Sequence, residues 1–160
     1  MKKIIVLAVA VLLAVSAFAQ DGKSLYMKYS NEKDVSAVYI SPAMFRLMGK
    51  LPDVEIGDDD VNLTPLIKSM TGMYILSSEN TKVNASMTSD LEKMMKSGKY
   101  ELLMEAKEKG ETVRIYTVAK GEMVTSFVLV AIEQDECNFI CIDGNMPKEE
   151  LEAAIASAVK

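Results

Sequence analysis

Apolar positions along the chain form one unbroken run first, then stretches with helical spacing, and finally stretches that alternate two by two. Ile4 to Val15 is twelve apolar residues without interruption, preceded by Met1-Lys2-Lys3 and followed by Ser16-Ala17-Phe18-Ala19. A basic start, an apolar middle and a small-residue A-x-A end (Ala17, Ala19) make the pattern of a secretory signal peptide. Cleavage is expected after Ala19, which leaves Gln20 as the first residue. A spanning helix needs about 20 apolar residues, so this run is too short for an anchor. No Cys stands at the cleavage point, so lipoprotein processing is not expected either. Residues 20–160 are expected to form a single domain, with no membrane span after cleavage.

Within that domain, Leu25, Tyr26 and Tyr29 predict a short helix over 22–30, and Val35 to Ile40 reads as a strand. Ser41-Pro42 opens a helix whose inward face is expected to carry Met44, Leu47, Met48 and Leu51. An acidic loop from Asp53 to Asp60 follows. Thr64-Pro65 opens another short helix, which Gly72 is expected to stop, ahead of a strand over 73–77. Met87, Leu91, Met94 and Met95 mark one face of a longer helix ending near Gly98. From Tyr100 the period changes to two. Segments 100–106, 112–119, 123–133 and 137–142 predict four strands joined by short turns, an antiparallel meander. Pro147 opens a last helix with Leu151, Ala154, Ile155, Ala158 and Val159 on one face. The order is α β α α β α β β β β α, an α+β fold with a mostly antiparallel sheet packed by amphipathic helices.

Two of the strands set a question about function. In 100–106, Tyr100, Leu102 and Met104 are expected inward and Glu101 and Glu105 in water. In 123–133, by contrast, Val124, Val128, Val130 and Ile132 lie on one face while Phe127, Leu129 and Ala131 lie on the other. Phe139 opposes Ile140 and Ile142 in the same way. Strands apolar on both sides are central and covered on both faces. Helices on both faces satisfy this, and so does one face that lines a ligand cavity or a subunit interface.

Composition narrows the chemistry. The 160 residues contain no His and no Trp, and only two Cys. There can be no Ser-His-Asp or Cys-His machinery, no His-ligated zinc and no imidazole switch near neutral pH. The formal charge is −5, and removal of Lys2 and Lys3 with the leader takes it to −7, 16 basic residues against 23 acidic. An acidic chain with no basic run is repelled by phosphate backbones and anionic membrane surfaces, so no nucleic-acid partner is expected.

The remaining candidates are weak as chemistry. Cys137 and Cys141 share a strand face about 13 Å apart, too far for a disulfide, and read as two small buried thiols. Asp58, Asp60 and Asn62 have the D-x-D-x-N spacing of calcium loops, but Leu63 stands where the required Gly belongs and Ser69 where Glu belongs. No metal and no cofactor are therefore expected. Eleven Met remain in the 141 residues after cleavage, and Met44, Met48, Met70, Met87, Met94 and Met95 fall on expected inward faces, as gap-filling core or as a pliable groove. Glu101 and Glu105 could serve acid–base chemistry, although their spacing is that of an outer polar face.

Several short motifs together resemble a known family. Tyr29-Ser30, the strand Val35-Ser36-Ala37-Val38-Tyr39-Ile40 running into Ser41-Pro42-Ala43-Met44-Phe45, and Leu66-Ile67-Lys68 ahead of Tyr74-Ile75-Leu76 are the first of them. Tyr100-Glu101-Leu102-Leu103 ahead of Val113-Arg114-Ile115-Tyr116 completes the set. Over most of residues 24–158 the chain resembles domain-of-unknown-function family 4252, small exported proteins of the Bacteroidetes. The resemblance implies secretion beyond the inner membrane and assigns no catalytic residue. The expected function is a non-enzymatic periplasmic binding or interaction module. Its candidate contact residues are Asp58, Asp59 and Asp60 in the acidic loop, and Phe127 and Phe139 on the sheet. The partner would be an envelope protein. The alternative is a carrier of an apolar small molecule in a cavity lined by Met and aromatic side chains, and a hydrolase using carboxylates alone comes third.

Overall fold

Asp21, just ahead of the first helix, shows how local chemistry starts each element. Its carboxylate accepts the Ser24 N–H at 2.8 Å and so caps α1 (Gly22–Tyr29). The computed structural model describes residues 21–48, 55–56, 61–62 and 64–158. The expected leader, the expected cleavage residues Ala17, Ala19 and Gln20, and the acidic positions Asp58, Asp59 and Asp60 lie outside the described residues.

β1 (Val35–Ile40) leads to α2 (Pro42–Met48), and two short strands pair antiparallel, β2 (Glu55–Ile56) inside the stretch expected to be an acidic loop and β3 (Val61–Asn62) just beyond it. Then come α3 (Thr64–Ser69), β4 (Met70–Ser78) and α4 (Thr81–Met95). The Asn80 side chain caps α4 by accepting from the N–H groups of Lys82 and Val83. The chain ends in β5 (Glu101–Glu108), β6 (Glu111–Lys120), β7 (Met123–Ile132), β8 (Cys137–Pro147) and α5 (Lys148–Ala158).

The protein is an α+β fold built on a six-stranded antiparallel sheet in the order β1-β4-β8-β7-β6-β5. The expected meander is present, with β5 to β8 side by side in chain order. Its first turn is a two-residue hairpin in which Lys109 (φ 46°) and Gly110 (φ 93°) are both left-handed, the backbone that matches the twist of the flanking strands.

One face of this sheet is sealed by α1 and α4. Leu25 and Tyr29 from α1 and Met87, Leu91 and Met94 from α4 are buried against Tyr74, Leu76, Val128, Val130, Cys137, Phe139 and Cys141. The packing is close enough that α1 must begin with glycine. A Cβ on Gly22 would lie 2.3 Å from the Cys141 sulfur. α2 and α3 pack together against β4 and β8, and α5 lies beside α3 and β8.

Several expectations are corrected by this arrangement. Phe139 is fully buried beneath the helices, so it is core and not a contact residue on an uncovered face. β5 has no inward face at all: it is the outermost strand, exposed along its length, with Leu102, Leu103 and Met104 about half exposed. On α2 the buried residue is Phe45, while Met44 and Leu47 face out, because a seven-residue helix at the sheet margin buries one side chain and not a stripe. Gly72 does not stop a helix. α3 ends at Ser69, and Gly72 lies inside β4 beside a bulge in its pairing with β8. β8 also runs five residues beyond the expected end, through Pro147.

Candidate functional site

Strand register brings together side chains that are far apart in sequence. Directly opposite residues of paired strands share a face. Val38 faces Ile75, Ile75 faces Ile140, Ile140 faces Leu129, Leu129 faces Ile115 and Ile115 faces Met104. These six residues, one from each strand, form an unbroken apolar row across the sheet on the side away from α1 and α4. The flanking row contains Ile40, Met73, Ile142 and Phe127.

Burial distinguishes this face from the sealed one. Along β4, β7 and β8 buried residues alternate with half-buried ones, and the half-buried positions are those of the apolar row and its neighbour. At the two ends of the row, Val38 is 49% and Met104 46% exposed. Of the two sheet candidates, Phe127 thus belongs to this half-buried face and Phe139 to the core. The structure does not bring the two together.

A second feature is a cleft of about 560 Å³ beside the start of α1, lined in part by Asp21, Lys99, Tyr100, Lys120, Ser126 and Asp143. Its floor holds a short polar chain. The Ser126 hydroxyl donates to Asp143 Oδ1 at 2.9 Å, and the Cys141 thiol lies 3.6 Å from the same oxygen. Burial, followed by the Asp143 charge, pushes the Cys141 thiol up to about 12, so it stays protonated. A serine bonded to a carboxylate and a neutral thiol, in a chain with no imidazole, is not an activated nucleophile. The arrangement can hold polar groups by hydrogen bonds and by the charges of Lys99, Lys120, Asp21 and Asp143.

The other candidates find plainer roles. Cys137 and Cys141 are unpaired and buried, as their spacing requires. Lys107, then Arg114 hold the Glu105 carboxylate below its ordinary range, which ill suits it to donate a proton. Among the described residues no group of three His, Cys, Asp or Glu could hold a metal ion, and no helix is long and apolar enough to cross a membrane. An apolar recess between α4 and the sheet, bounded by Leu91, Met95, Tyr116, Val130 and Ile132 among others, measures about 20 Å³. That is room for about one water molecule and far below the few hundred Å³ of a small-molecule site.

The polar cleft had no contiguous motif in the sequence, because its residues come from five separate stretches of chain. One signal did exist: Ser126 interrupts the buried series Val124, Val128 and Val130 on an otherwise apolar strand face.

No curated protein and no solved structure matches this chain. A family model does match, over residues 29–154, which spans every strand of the large sheet. The chain therefore belongs to the family described as domain of unknown function DUF4252.

Proposed function

We propose that this protein is an exported, non-enzymatic interaction module of the cell envelope. The observation that carries this reading is the apolar row from Val38 to Met104, half-buried on a sheet whose opposite face is sealed. A monomer rarely leaves so wide an apolar surface without a use for it, and contiguous patches of this kind mark contact sites. Export is supported by the leader pattern of residues 1–19. The lack of His and the protonated Cys141 thiol also favour a binding role over a chemical one.

The test is a photo-crosslinking amino acid placed at Leu129, at the centre of the row, in protein expressed in its own cells. A discrete envelope-protein adduct is expected, and it should disappear when Phe127→Glu is added to a chain that still folds. No adduct at Leu129 would overturn the reading.

The polar cleft supports a second reading, a site for a small polar molecule. Its Ser126–Asp143 hydrogen bond and its mixed charges suit such a ligand better than an apolar cargo. Calorimetry of the Asp143→Asn variant against the natural chain, with an amine-containing metabolite mixture, separates this reading from the first. A ligand held in the cleft would lose affinity in the variant.

A further inference from the structure

An open sheet has two edges, and unprotected edges pair with other strands unless something prevents it. The two edges of this sheet differ. β5 carries Glu101, Glu105, Lys107 and Glu108, and a bulge distorts it between Leu102 and Met104. Charges and bulges are the ordinary means of keeping an edge solitary. β1 has neither. Its six residues, Val35-Ser36-Ala37-Val38-Tyr39-Ile40, contain no charge, no Gly and no Pro, and its register against β4 runs without a shift. Ser36, Val38 and Tyr39 are exposed.

Which backbone groups of β1 face away from β4 follows from one hydrogen bond. The Glu79 N–H donates to the Asp34 carbonyl at 3.2 Å, and the pair 34/79 continues the register Val35↔Ser78. In an antiparallel ladder such pairs alternate. Residues 34, 36, 38 and 40 therefore turn their N–H and C=O groups toward β4, and Val35, Ala37 and Tyr39 turn theirs outward.

From this geometry we infer that β1 is a self-association edge, and that its occupant is β1 of a second copy, paired antiparallel about a two-fold axis at Ala37. This inference is separate from the proposed use of the sheet face. A two-fold axis at Ala37 sets all three outward residues against outward residues: Val35 opposite Tyr39, Ala37 opposite Ala37 and Tyr39 opposite Val35. Moving the axis one residue along the strand leaves one of the three without a strand partner. On the helix side an aromatic ring then meets a β-branched side chain, a favourable cross-strand pair. On the other side Val38 meets Ser36. No charged pair is opposed anywhere along the strand, which is what an acidic protein needs in order to meet its own copy. The axis also places the exposed Val38 side chains of the two copies diagonally opposite each other, one row out of line, on the same face of a twelve-stranded sheet.

Sedimentation velocity over a concentration series of the purified protein tests this, with Ala37→Pro as the main variant. The Ala37 N–H points outward, so proline removes no bond to β4 and blocks the partner strand alone. A concentration-dependent dimer is expected, with at least a ten-fold weaker dimer in Ala37→Pro at unchanged circular dichroism. Leu103→Lys on β5 should leave the dimer as it is. If Ala37→Pro does not fold, Val38→Lys takes its place, and the same weakening is expected. A monomer at every concentration would overturn the inference. So would a dimer that both β1 variants leave intact, or one that only the β5 variant dissociates.

Discussion

The Tyr29 hydroxyl donates a 2.7 Å hydrogen bond to Oδ2 of Asp90, a buried carboxylate that also meets the Lys28 ammonium. This one acceptor ties α1 to α4, the two helices that seal the sheet. Lys93, one turn along α4, adds a longer contact of 3.6 Å. Burial acts to raise the Asp90 pKa, but the hydrogen bonds from Lys28 and Tyr29, with the charges of Lys28 and Lys93, hold it below its ordinary value. Breaking such a charged buried bond costs about 1–3 kcal/mol.

Asp90→Asn should therefore lower stability by about that amount at neutral pH. The carboxylate has a lower pKa folded than unfolded, so its contribution is present above the unfolded value and is lost as pH falls through the folded one. Urea melts of the two proteins should be well separated at pH 7, begin to converge as pH falls below about 4, the unfolded carboxylate range, and meet only at lower pH. A constant separation across that range would show that ionisation of Asp90 is not what matters.

The thiols of Cys137 and Cys141 should be silent in the folded protein. Both are fully buried and unpaired, and burial raises both pKa values. The thiolate is the reactive form, so a thiol-specific reagent at mildly alkaline pH should find nothing to attack until the chain unfolds. Both cysteines should then react together in denaturant. Rapid labelling of the native protein would mean that α1 opens from the sheet far more readily than its packing indicates.

Leucines at opposite ends of the burial scale should separate cleanly. Leu76 is fully buried at the centre of the sealed face, and Leu103 on β5 is 50% exposed. Leu76→Ala removes packed methyl groups and should cost about 2–5 kcal/mol. Leu103→Ala should cost no more than about half a kcal/mol, as surface changes do. Comparable losses in chemical denaturation would place β5 under cover and would remove the contrast between the two sheet edges.

How much of this was legible beforehand follows from the range of the forces involved. Capping and spacing act within a few residues, so Ser41-Pro42, Thr64-Pro65 and the Met87–Met94 stripe announced their helices in the sequence. The alternation after Tyr100 likewise announced the meander. The lack of His excluded whole chemistries without any structure. The spacing of Cys137 and Cys141 on one strand already kept them apart.

What the sequence left open was which apolar face would be covered. Phe127 and Phe139 are both aromatic residues on strands apolar on both sides, and nothing within either strand tells them apart. Only the docking of α1 and α4 puts Phe139 in the core and leaves Phe127 half-buried. The same holds for β5, whose alternating Leu102 and Met104 looked like an inward face. Alternation records the pleat of a strand, not its place in the sheet, and strand order placed β5 outermost. The polar cleft is likewise a product of assembly, since Asp21, Tyr100, Ser126 and Asp143 meet only when α1, β7, β8 and the residues leading into β5 are in place. Short-range preferences are written residue by residue. Which surfaces meet is settled by long-range packing, which no local pattern encodes.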